Sequence, residues 1–88
     1  MTVIQTSLFS VLKRFLNHKD TVKRLYRESE SFQTMCEDYR KCVRALDHWK
    51  QSEEEIAFKR RTEYSAIIHE LEEEILQRLT ELNVPIPK

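Results

Sequence analysis

Glycine is absent from all 88 residues of the chain. Average usage of about 7% would supply roughly six, so the absence excludes whole classes of site. Phosphate-cradling P-loops, dinucleotide G-x-G-x-x-G turns and tight type I′ hairpins need positive φ or a close backbone approach that glycine supplies at low cost. Proline is confined to Pro85 and Pro87, so no earlier residue breaks a helix by lacking its backbone donor. No apolar run approaches the ~20 residues of a membrane-spanning helix. The Glu-x-x-His pairs of di-metal carboxylate bundles are also missing, because Ala45 and Ala66 stand three residues before His48 and His69. No metal or cofactor site is expected.

Net charge is missing too, since 15 Lys and Arg balance 15 Asp and Glu. A neutral chain is not a surface wholly attracted to nucleic acid or anionic membrane. With 34% charged and 40% hydrophobic residues, it has too much apolar content for a disordered polymer and reads as one small domain. The neutrality hides an asymmetry. Residues 1–50 hold ten basic and six acidic residues, a balance of +4, and residues 51–88 hold five and nine, a balance of −4. Opposite halves favour pairing with each other or with a second copy.

What is present is helical periodicity. Val3, Ile4, Leu8, Phe9, Val11, Leu12, Phe15 and Leu16 form one face of a first helix, with Thr2 and Gln5 at capping-box spacing. The polar stretch Asn17-His18-Lys19-Asp20 closes it, and Asp20 is expected to cap a short second helix to about Glu28, which offers Val22, Leu25 and Tyr26 to a core. Ser29-Glu30-Ser31 interrupts or re-caps the chain. Phe32, Met35, Tyr39, Cys42, Leu46 and Trp49 then follow a 3-4-3-4-3 spacing, widened by Cys36 and Val43. Lys50 to Glu55 contains no apolar residue, and the heptad frame is lost across it. A new frame starts at Ala57 and runs through Tyr64, Ile68, Leu71 and Ile75 to Leu79 and Leu82, and Ser52 with Glu55 has the spacing of a second capping box. Phase break, polar gap and cap together predict a helical hairpin.

Few side chains suggest chemistry. Cys36 and Cys42 lie six residues apart, about 240° round a helix and ~9 Å along it, too divergent for a mutual disulfide and without the spacing of a metal pair. A hairpin turning near Ser52 pairs residues whose numbers sum to about 104, which brings His69 towards Cys36, where it could lower the thiol pKa. Glu70, Glu72, Glu73 and Glu74 read as the solvated face of the last helix, with Glu74 and Arg78 an i, i+4 pair. Lys13, Arg14, Lys19, Lys23, Arg24 and Arg27 gather where no acid precedes Asp20. They are the residues through which a nucleic acid or a membrane surface would bind, although the charges spread over several faces and no recognition helix is evident.

Leu25-Tyr26-Arg27, with Phe32 and Tyr39-Arg40 nearby, resembles the signature of the LYR family. That family consists of small mitochondrial three-helix proteins serving as accessory subunits and iron–sulfur assembly factors. The run from Asp20 through Leu46 more closely resembles short uncharacterised helical proteins of bacterial genomes, which implies a bacterial cytoplasmic protein and carries no activity.

The sequence therefore predicts an all-α, three-helix bundle built on an antiparallel helical hairpin, residues 31–51 and 52–82. An N-terminal amphipathic helix (1–19), a short connecting helix (20–30) and an extended tail (83–88) complete it. Three wide stripes offer more apolar area than a bundle this small hides, so a homodimer is expected, through Ile4, Leu8, Phe9, Leu12 and Phe15 or through the open side of the hairpin. The leading function is a non-catalytic protein-interaction or oligomerising module with a protein partner of unknown identity. The alternatives are a thiol-based redox sensor or enzyme using Cys36 or Cys42, and a weak nucleic-acid or membrane-surface binder using the basic N-terminal segment.

Overall fold

The computed structural model describes the backbone of residues 3–83 and the side chains of residues 7–81. The fold is all-α. Among the described residues there are four α-helices and no strand: α1 (Val3–Arg14), α2 (Lys19–Glu28), α3 (Glu30–Lys50) and α4 (Ala57–Asn83), with a 3-10 turn at Leu16–His18. The proposed Thr2 cap, the side chain of Ile4, and the tail beyond Asn83 lie outside the described residues; Asn83 itself still belongs to α4.

The junction between α2 and α3 is a single residue. Ser29 is extended, at φ −134° and ψ 117°, and its hydroxyl accepts the Phe32 backbone N–H at 3.1 Å. Its own N–H goes to the Leu25 carbonyl, so one serine closes α2 and caps α3, an arrangement typically worth ~1 kcal/mol. Gln33 Nε2 donates to the Tyr26 carbonyl at 2.6 Å and ties the two helices further. Asp20, by contrast, is not a cap. The 3-10 turn makes His18 the N-cap, without a side-chain cap bond, and Asp20 falls inside the first turn of α2, where its carboxylate faces the positive end of the helix dipole.

The hairpin turn is longer than its sequence signals imply. Ser52 Oγ accepts the Glu54 N–H at 3.1 Å, forming a local turn rather than a capping box with Glu55. The fourth helix consequently begins at Ala57, five residues after Ser52. Gln51 ends α3 in right-handed conformation, and no described residue has positive φ; the six-residue connection from Gln51 to Ile56 makes the reversal without glycine. The register shifts accordingly. Tyr39 meets Glu72, Trp49 meets Arg61 and Ser31 meets Arg78, sums of 111, 110 and 109 rather than 104.

α1 and α2 pack on the hairpin mainly through α3. Val11 and Phe15 from α1 and its end, Val22, Leu25 and Tyr26 from α2, Phe32, Cys36 and Tyr39 from α3, and Ile75 and Leu79 from α4 form one buried cluster. Leu8, Leu12, Met35, Val43, Ile68 and Leu71 border it. The core thus sits at the end of the hairpin away from its turn. Near the turn Trp49 is half-buried and meets the His48 ring edge-on at 4.9 Å.

Candidate functional site

One polar node joins three helices. The Glu72 carboxylate receives Arg14 Nε at 2.8 Å and Nη2 at 3.2 Å, and Tyr39 donates its hydroxyl to Oε2 at 2.8 Å. Glu72 is therefore not part of the solvated acidic face, for its side chain is only 19% exposed. Burial pushes its carboxyl up, but the hydrogen bonds from Arg14 and Tyr39 and the Arg14 charge outweigh burial and hold it below the ordinary value. Burial, reinforced by Glu72, raises the Tyr39 phenol. The node has a charged acceptor fixed between two donors and no group poised to transfer a proton near neutral pH, so its evident work is to lock α1 and α4 across α3.

Arg78 also leaves its expected partner. It reaches back to the α2–α3 junction, donating to Ser29 Oγ at 3.1 Å and Ser31 Oγ at 3.3 Å, with its guanidinium 5.8 Å above the Phe32 ring. A helix-face reading pairs it with Glu74; the tertiary acceptors lie on its inner flank.

The two cysteines are free thiols. Cys36 is fully buried, and burial, with Glu37 adding to it, pushes the thiol up to about 12. The half-buried Cys42 is raised too, by burial first and then by Asp38. His69 does not approach Cys36: the shifted register sets Cys36 against the Ile75 level of α4, while His69 is 72% exposed and pairs with Glu73 at 3.2 Å. Neither thiol has the electropositive setting that activates a nucleophile. In single-cysteine variants, native Cys42 should react with a disulfide reagent at least ~100-fold faster than native Cys36, whose thiolate is roughly one part in 10⁴ at pH 8. Equal native rates would show that Cys36 opens independently of unfolding.

The first-helix residues divide. Phe15 belongs to the core and Leu8 and Leu12 pack against it, whereas Phe9 is 61% exposed beneath the Lys13 ammonium. Leu16, in the 3-10 turn, is 63% exposed as well, and the other exposed large apolar residues, Ile56, Phe58, Ile67 and Leu76, lie on α4 or immediately before it, between 40% and 71% exposed. Two open grooves accompany them. One is lined by Leu46 and Lys50 of α3 with Phe58, Arg61, Thr62 and Ser65 of α4. The other runs between Asp38, Cys42 and Ala45 of α3 and Tyr64, Ile67 and Leu71 of α4. α1 lies instead along Tyr39 and Val43, and Val43 and Ala45 point about 160° apart on α3, so the Cys42–Ile67 groove is on the side of the hairpin that α1 leaves uncovered.

The basic N-terminal residues do not form one surface. Arg14 is committed to Glu72 and Arg24 sits 3.7 Å from Glu28. Of the Leu25-Tyr26-Arg27 tripeptide, Leu25 and Tyr26 are core residues and Arg27 is exposed. Among the described residues no helix is long and apolar enough to cross a membrane, and no three His, Cys, Asp or Glu side chains gather as a metal site. Comparisons of the chain with protein-family models, curated proteins and solved structures find no match.

The sequence expectation includes the open side of the hairpin but does not single out Phe58 or Ile67, because Phe58 adjoins the basic run Lys59-Arg60-Arg61 and Ile67 adjoins the inward Ile68. The phase of Ala57, Tyr64, Ile68 and Ile75 is the signal that finds them, since Ile67 falls about 100° off Ile68.

Proposed function

We propose that this chain is a non-catalytic helical interaction module that docks protein through the exposed flanks of α4. The observation that carries the reading is the concentration of Ile56, Phe58, Ile67 and Leu76 in water on one element, while the inner face of the same helix is filled. Scattered exposed apolar residues are ordinary, but Phe58 and Ile67, on opposite flanks of α4, each line an open groove between α3 and α4, and an apolar side chain exposed at such a groove marks a contact surface. The two unpaired thiols, neither activated, fit a reducing compartment and a cytoplasmic protein. They also weigh against the thiol-sensor alternative, and the internal pairing of Arg14 and Arg24 weighs against the basic-segment binder.

Site-specific photocrosslinking in the producing cells tests this. A photoreactive residue at position 58 or 67 should yield a discrete covalent adduct several-fold above that from position 27, an exposed position on α2. Equal or absent adducts from positions 58 and 67 would overturn the reading.

A further inference from the structure

We infer that the occupant of the Cys42–Ile67 groove is a second copy of this chain, its α4 lying antiparallel to the first across a two-fold axis at Ile67. The inference rests on the interaction-module reading and names its partner.

Arg60, Ile67 and Glu74 stand seven residues apart, hence ~10.5 Å apart along α4 and within about 20° of one stripe. A two-fold axis through Ile67 lays residue i of one helix opposite residue 134 − i of the other. Arg60 then faces Glu74 of the second copy, twice over, with Ile67 meeting Ile67 between the pairs. Glu63 then stands level with Leu71 of the second copy and Tyr64 level with Glu70, and the one like-charged approach is Glu63 to Glu70 on the same flank. A parallel arrangement would stack Arg60 on Arg60 and Glu74 on Glu74. The charge order along the stripe, Arg60 before the axis and Glu74 after it, thus selects the antiparallel form.

The surroundings suit a helix of the same kind. The groove is lined by α3 and α4 alone, and Ile67 is 42% exposed beside it. Arg60 now has only a surface partner, Glu63 at 2.8 Å, both side chains about two-fifths exposed, and such pairs are worth little, so Arg60 loses little by turning to a second carboxylate. From residue 56 to residue 78 the contact runs ~33 Å; at a width of about 20 Å it covers on the order of 700 Å² per copy, close to the ~800 Å² of a standard interface. An isologous contact of this kind closes on itself and stops at two copies.

The test is sedimentation velocity on the chain, on R60E, on E74R and on R60E/E74R, from roughly 1 to 300 μM. The wild-type chain should dimerise within that range. Each single swap, which turns two attractions into two repulsions, should weaken the dimer at least ~10-fold, and the double swap should restore it to within about threefold. A thiol placed at the axis gives an independent readout. I67C in a C42S background should form a disulfide-linked dimer on mild oxidation, and L76C in the same background, on the far flank of α4, should not. A chain that stays monomeric, swaps without effect, or singles without rescue overturns the inference. If the purified chain is monomeric while position 67 crosslinks a different protein in cells, this inference falls and the module reading stands. If no adduct forms in cells, the module reading falls, and the sedimentation and disulfide results still decide whether this face pairs.

Discussion

Replacing Phe32 by alanine lowers the stability of the domain by about 3–5 kcal/mol. Phe32 has no exposed surface and stands in the first turn of α3, where α2, α3 and α4 meet. Its removal deletes the transfer free energy of a large aromatic and leaves a void within the buried cluster, which relaxes only partially. Two secondary losses add to this. Arg78 loses the ring beneath its guanidinium, and the Ser29 cap, which holds the Phe32 N–H, loses the packing that fixes its geometry. A chain of this length has on the order of 4–13 kcal/mol in all, so the variant retains between most and none of its folded population at room temperature. Urea unfolding followed by Trp49 fluorescence and helical circular dichroism should show the midpoint falling by about 1.5 M or more, at the ~1–2 kcal/mol per M slope expected for this size. Phe58→Ala supplies the internal comparison. Phe58 is 71% exposed, so its truncation should stay within about 0.5 kcal/mol. Similar losses at the two positions would mean that the core is not where the structure places it.

That contrast also shows which parts of the molecule are legible in one dimension. Phe32, Cys36 and Tyr39 declare themselves through their spacing, and Ser29 through its position before an apolar run, because a helix is built from neighbours three and four residues apart. The hairpin turn is less legible. The Ser52 hydroxyl can serve either a capping box or a local turn, and the outcome depends on how far α4 must slide for Ile75 and Leu79 to reach the core. That slide moves every facing pair by five to seven in summed number and separates Cys36 from His69. The Glu72 node is harder still, since its partners lie 58 and 33 residues away in sequence. Two local signals nonetheless point to it. Tyr39 carries a hydroxyl into an apolar stripe and must find an acceptor, and Glu72, four residues after Ile68 and three before Ile75, is the one acid of its run on the flank of the inner face. The phase of Ala57, Tyr64, Ile68 and Ile75 places Phe58, Ile67 and Leu76 on the flanks of α4, but what covers them depends on what lies outside the chain.

Glu72→Ala should cost about 2–3 kcal/mol at neutral pH, more than any other substitution at a partly exposed position, and most of that comes from Tyr39 rather than Arg14. The Arg14 side chain is 54% exposed, so water competes for its charge and its pairing contributes ~1 kcal/mol or less. Tyr39 is only 5% exposed, and without the carboxylate its hydroxyl is a buried donor with no acceptor in place, a loss of roughly 1–3 kcal/mol. Tyr39→Phe should therefore cost less than Glu72→Ala, because it leaves the carboxylate its bonds to Arg14, and the double variant should cost less than the two singles added. Acid separates charge from shape. The folded carboxyl is held below its ordinary value, so its contribution is fully present above the unfolded value of about 4.3 and disappears as pH falls through the lower folded value. Glu72→Gln keeps an acceptor for Tyr39 but carries no titrating group. Its stability should lie below wild type at pH 7, the gap should hold down to about pH 5, and it should narrow as pH falls below the unfolded value of about 4.3. A gap that persists unchanged to pH 3 would show that the amide fails by shape rather than by charge, and that the carboxylate is not what holds α1 and α4 across α3.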